Sequence, residues 1–218
     1  MSTVSRRAPF LGWVLGAYVL WALFVVALDI AEIGVLDLFK DPTQLDQYLA
    51  DHPWKGGLSM VGNLAWAAAS GMSLLTGAVL RSRNEPREGF FLAMGAVFIV
   101  IGFDDSFTIH DNFAWVVLGG ASELVVLSIL ALVFVAWVVR YRREILDTSY
   151  VLLGLGALGL GVPFVLDARE KLGIEAEWLG VVEEAAELAG ILTLLLYVSI
   201  ETWRALVRLG RNGSSVSG

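Results

Sequence analysis

The sequence predicts an all-α fold, a polytopic membrane bundle of six helices with both termini in the cytoplasm. Three observations carry that expectation. Of 218 residues, 57% are hydrophobic and only 17% charged, against about 25% charged in an ordinary soluble domain. The apolar residues fall in long unbroken blocks, the pattern of a chain whose backbone must satisfy its own hydrogen bonds in lipid. The basic residues also gather between alternate blocks, as the positive-inside rule requires.

Six blocks follow in order. The first runs from Phe10 to Leu28 and the second from Leu58 to Leu80. The third is Phe90–Gly102, the fourth Leu124–Val139, the fifth Tyr150–Leu166 and the sixth Leu188–Ile200. Arg6 and Arg7 before the first block would also suit a secretory signal. Its 19 apolar residues exceed a usual signal core, and no small-x-small cleavage site follows. It is read as a span. The bundle is expected over residues 10–209, with disordered ends at 1–9 and in the Gly/Ser-rich tail 210–218.

Orientation follows from charge. Eleven of the fifteen Lys and Arg residues fall on one side: Arg6, Arg7, Arg81, Arg83, Arg87, Arg140, Arg142, Arg143, Arg204, Arg208 and Arg211. Seventeen of the twenty-two acids fall on the other, so the acidic loops are expected on the extracytoplasmic side of a cell membrane. A net charge of −7 argues against a nucleic-acid partner. The absence of cysteine excludes disulfides, thiolate metal sites and thiol nucleophiles.

The chemistry is expected at the acidic end. A helix needs about 20 apolar residues to cross the hydrocarbon. The third block offers thirteen before Asp104 and Asp105, and the sixth offers thirteen after Glu183, Glu184 and Glu187. Carboxylates would thus stand at membrane depth, where they face a cavity, a partner or an ion. Glu123, Asp167, Asp29 and Glu32 stand at the ends of other blocks. At about 100° per residue, Glu183, Glu184 and Glu187 share one arc, and Asp104, Asp105, Thr108 and Asp111 share another. His110 points away from the aspartates on a regular helix, so joining them requires the helix to loosen before it. Each group also has a plainer reading. The glutamates suit a helix N-terminus, the aspartates could pair with Arg169 or Lys171, and Asn63 suits an interhelical hydrogen bond.

The segment Asp104-Asp105-Ser106-Phe107-Thr108-Ile109-His110-Asp111, with Glu183-Glu184-x-x-Glu187-x-x-Gly190 later, resembles a loose group of uncharacterised bacterial multi-pass proteins. These carry D-[DE]-x-x-x-x-H-[DE] in one span and E-[ED]-x-x-E/K-x-x-G in another. The resemblance implies that the acids and the histidine belong together. A more distant similarity, in size and in polar residues at membrane depth, is to the membrane hydrolases that include alkaline ceramidases. That superfamily uses seven spans and three zinc-binding histidines, whereas this chain has two histidines in all.

The functional expectation is a membrane-embedded, metal-dependent enzyme, a lipid hydrolase in the specific form, opening to the outer leaflet. Asp104, Asp105, His110, Asp111, Glu183, Glu184 and Glu187 are its candidate ligands, with His110 and Asp105 as candidate catalytic groups. An oxygen-rich donor set with one imidazole suits a divalent Zn, Fe or Mn ion, and membrane lipids are the expected partners. Two other classes fit the same acids. One is an accessory subunit with an acidic outer face. The other is a cation or proton transporter, which the scarcity of ionisable residues in the middle of the spans disfavours.

Overall fold

The computed structural model describes residues 8–31, 35–39, 56–107, 109, 122–170 and 177–214. Among them the fold is all-α. Eight helices follow in order: α1 Ala8–Ile30, α2 Val35–Phe39, α3 Gly57–Ser82, α4 Glu88–Phe107, α5 Ser122–Arg140, α6 Arg142–Leu146, α7 Tyr150–Glu170 and α8 Glu177–Ser214. No strand occurs among the described residues. Each of the six apolar blocks lies inside a helix of 19 to 38 residues.

Among the described residues two helices, α3 and α4, rather than the six expected, are by themselves long and apolar enough to cross a membrane. The apolar stretches of α1, α5 and α7 are shorter, at Gly12–Leu28, Val125–Arg140 and Tyr150–Pro163. Along the 38 residues of α8, glutamates before Leu188 and charges from Glu201 onward dilute the apolar block. α1 begins at Ala8 and α8 ends at Ser214, a few residues beyond the expected limits of 10 and 209.

The chain divides into two compact units. Residues 1–62 and 155–192 form the first, residues 63–154 and 193–218 the second. In the first unit, Trp21, Val25 and Leu28 of α1 pack with Phe39, Leu58, Val181, Ala185 and Leu188. The Trp21 indole donates to the Ala185 carbonyl at 3.0 Å. Residues 181, 185 and 188 recur at helical spacing, so this part of α8 turns one stripe to α1. A different side of α8 meets α7 through glycine: a Cβ on Gly159 would lie 2.6 Å from the Gly190 Cα and 2.9 Å from the Ala186 oxygen. The two backbones touch because neither residue has a side chain.

The second unit uses the same device between α3 and α4. A Cβ on Gly95 would stand 2.7 Å from Leu74 Cγ, and one on Gly77 would stand 2.9 Å from the Leu92 backbone nitrogen. The turn joining the two helices reverses the chain at Asn84, whose φ is 54°. There Glu85 N–H bonds Leu80 O at 3.0 Å and Asn84 N–H bonds Arg81 O at 3.0 Å. This is a Schellman close, with asparagine in the left-handed position that glycine usually takes. Behind α4 lies an aromatic stack. Phe90 lies 5.7 Å from Trp137 of α5 and 5.8 Å from Tyr141, and Phe98 lies 6.3 Å from Trp137.

The α3–α4 contact predicts a contrast between two glycines of one helix. Gly77→Ala forces a methyl onto backbone and is expected to cost about 1–3 kcal/mol. Gly71→Ala, where nothing lies within 4 Å, should be neutral or stabilising by up to about 1 kcal/mol. Thermal unfolding of the two variants in detergent measures the difference.

Candidate functional site

The polar centre of the second unit is built on the face that α4 turns to α3. Phe98, Gly102 and Asp105 recur at i, i+4 and i+7, so they line one stripe of the helix. Trp66 of α3 lies along it. Its ring meets Phe98 edge-on at 5.5 Å. It lies over Gly102, where an added Cβ would be 2.7 Å from Trp66 Cβ. From there its indole N–H donates to Asp105 Oδ2 at 2.8 Å. A side chain at position 102 would lift the ring and lengthen that bond. One turn earlier on α3, Asn63 Oδ1 accepts from Ser106 Oγ at 3.0 Å.

Trp66 is 3% exposed and Asp104 5% exposed, while Asp105 and Ser106 are half-buried. The carboxylate of Asp104 is therefore enclosed by the protein at the end of an otherwise apolar helix. An indole donor on Asp105 is a charge-assisted bond, which shortens and strengthens relative to a neutral pair. It also holds the carboxylate in one orientation. Asp105 and Ser106 both reach α3, although they stand about 100° apart on the helix, because Trp66 and Asn63 straddle the seam between the helices. The interhelical role expected for Asn63 is what the structure shows. Trp66 carried no expectation, though a buried tryptophan usually finds an acceptor for its N–H.

His110 and Asp111 lie outside the described residues, as does Thr108. The side chains of Asp29, Glu32, Glu123, Asp167 and Glu170 also lie outside them. Glu183, Glu184 and Glu187 are half-buried on α8 within the first unit. Counting from Val181, they occupy the arc between about 200° and 300°. The stripe toward α1 lies near 0°, and Ala186 and Gly190, toward α7, lie near 140–180°. The trio thus takes the third side of that helix, as its spacing suggested. Among the described residues, no three His, Asp or Glu side chains come together as a metal-holding group.

A family model described as Domain of unknown function (DUF8692) matches residues 11–200. The chain belongs to the DUF8692 family. The match embraces Asp104, Asp105, His110, Asp111, Glu183, Glu184 and Glu187 together. No curated protein and no solved structure matches this DUF8692 chain.

A second polar cluster, in the second unit, was not foreseen. Glu201 of α8 is 2% exposed. Its Oε1 accepts from the Ser149 backbone N–H at 2.9 Å, immediately before α7, and from Arg204 at 2.7 Å. Arg204 also donates to Ser149 Oγ at 2.7 Å. Beside it, Tyr197 OH and Thr148 Oγ1 share a hydrogen bond of 3.0 Å. Thr76 of α3 reaches Thr202 at 3.1 Å. Glu201 therefore caps the first turn of α7 and pins it to α8, with Arg204 supplying the countercharge. The sequence signal was a glutamate three residues before an arginine in a segment where the other charges are arginines.

These contacts predict two couplings. In a double-mutant cycle of Trp66→Phe and Asp105→Asn, the interaction is expected at about 1.5–3 kcal/mol, the range for a hydrogen bond to a charged group. Denaturation in detergent reads it. Glu201→Ala strands the Ser149 amide and Arg204. Because Arg204 is 43% exposed and water can rescue it, the expected loss is about 1–3 kcal/mol.

Proposed function

We propose that this chain is a six-span integral membrane protein, with its termini on the arginine-rich side, whose functional centre is the Asp104–Asp105 pair. The pair would supply oxygen ligands to a divalent cation in a membrane-embedded enzyme acting on lipid. Support for the membrane reading comes from the surface. Trp13 is 81% exposed, Ile30 76%, Leu64 70%, Leu20 69%, Leu132 68% and Leu158 69%. Water would penalise each of these by about 25 cal/mol per Å² of apolar area, and soluble monomers do not spread such residues over whole helix faces. Lipid carries no such penalty.

The observation that carries the site reading is Asp104, enclosed at 5% exposure beside a carboxylate already oriented by Trp66. Adjacent acids repel, and a divalent ion between them would relieve that; with the imidazole of His110 added to the carboxylates, the donor set would suit Mn, Fe or Zn. His110 and Asp111 stand in the sequence immediately beyond and would complete such a donor set. Glu183, Glu184 and Glu187 remain candidate ligands within their own unit.

One observation favours a second reading. Trp66–Asp105 and Asn63–Ser106 together form an interhelical clamp of two hydrogen bonds, and a clamp needs no metal. On that reading the chain is an accessory membrane subunit, and Asp105 and Ser106 fasten α4 to α3.

Elemental analysis of the detergent-purified protein separates the two. The enzyme reading expects near-stoichiometric Zn, Fe or Mn in the wild type, lost in Asp104→Asn/Asp105→Asn. Absence of metal from wild-type protein purified without chelator, with the double variant merely less stable, would leave the clamp.

A further inference from the structure

The second unit gathers an unusual surface at the end opposite Asp104 along α4. Three segments meet there: the turn between α3 and α4, the chain from Arg140 through α6 to the start of α7, and the last turns of α8. Side-chain bonds join them. Arg87 donates to the Glu144 carbonyl at 3.1 Å, Arg204 of α8 bonds Ser149 at 2.7 Å, and Thr76 bonds Thr202 at 3.1 Å. They form one fixed end of the unit.

The charges at this end are sorted by exposure. Arg81, Arg83, Arg140, Arg142, Arg143, Arg204, Arg208 and Arg211 are exposed. Of the acids on the same segments, Glu201 is buried and Glu85, Glu88 and Glu144 are half-buried. Asp147 is the one that is exposed. Folding thus withdraws negative charge and leaves seven guanidiniums outward besides that of Arg204, which holds Glu201. All nine basic residues of the unit are arginines, and the three lysines of the chain, Lys40, Lys55 and Lys171, lie outside it. A planar guanidinium grips a phosphate through two parallel N–H bonds, which an ammonium cannot do. Apolar residues stand among these arginines. Trp203 is 69% exposed, Leu146 60% and Leu206 41%, which fits side chains set at the level where headgroups meet acyl chains.

We propose that this end of the second unit binds anionic phospholipid headgroups of the inner leaflet, with Arg140, Arg142 and Arg143 as its centre and Arg81 and Arg83 as a second group. The occupant follows from charge complementarity, from phosphate geometry and from the exposed apolar residues interleaved with the arginines. The inference rests on the membrane reading above and is independent of any metal at Asp104.

The test uses the full chain in phosphatidylcholine nanodiscs, titrated with a fluorescent phosphatidylglycerol. A basic side chain near an anionic surface contributes on the order of fivefold in affinity. Arg140→Gln/Arg142→Gln/Arg143→Gln is therefore expected to weaken binding by about tenfold or more, and Arg81→Gln/Arg83→Gln by several-fold. The second variant serves if the first does not fold, and melting in phosphatidylcholine alone shows which variants are folded. Wild-type affinity in the folded variants, or no preference for phosphatidylglycerol over phosphatidylcholine, would overturn the proposal. So would inorganic phosphate competing as well as the lipid does. Release of the chain from native membranes by alkaline carbonate would instead remove the six-span reading, so the two failures are distinguishable.

Discussion

Within each unit, what the rest of the packing depends on is the closeness with which helix backbones approach at positions that carry no side chain. Gly77, Gly95 and Gly102 bring α3 and α4 together, and Gly159 and Gly190 do the same for α7 and α8. On the membrane reading proposed above, apolar side chains would gain little by leaving one hydrocarbon surface for another, and helix association would rest on packing and on hydrogen bonds between helices. Both grow stronger as backbones draw near. The Trp66–Asp105 bond is the direct consequence: the indole crosses to Asp105 because the ring rests where Gly102 has left room.

That geometry places two kinds of polar group in two kinds of surroundings in the second unit. Near one end, Asp104 and Asp105 sit at the close of an apolar helix, Asp104 enclosed and Asp105 oriented by Trp66 of α3. Near the other, Glu201 is withdrawn behind Arg204 and used to cap α7, while arginines face outward. A carboxylate buried against an amide and a guanidinium is a fastening. Two adjacent carboxylates, one enclosed and its neighbour held by an indole, bring oxygen donors together at one place, and the functional proposal is centred on them for that reason.

The acidic groups also illustrate how one residue type takes different roles. The glutamate trio of the first unit occupies a side of α8 turned neither to the stripe at Val181, Ala185 and Leu188 nor to Gly190. Its arc follows from helical periodicity alone. Glu201, on the same helix and 14 residues beyond Glu187, is fully enclosed where the trio is half-buried. Nothing in the identity of the residue separates them; the neighbouring helix does.

The sequence by itself determined the all-α class, the six helical blocks and their order, and the sorting of arginines from acids along the chain. Hydrophobic block length and charge spacing are one-dimensional quantities, and they are written in the order of the residues. The arc of the glutamate trio and the interhelical role of Asn63 were legible for the same reason, since a helix converts spacing into direction. Only the tertiary structure decided that Trp66 holds Asp105, that Glu201 is buried while the arginines around it are exposed, and that Gly77 is a contact while Gly71 is open. These depend on which face meets which neighbour and at what distance. Residues 39 and 52 positions apart, such as Trp66 and Asp105 or Ser149 and Glu201, carry no mark of their pairing until the backbones between them have packed.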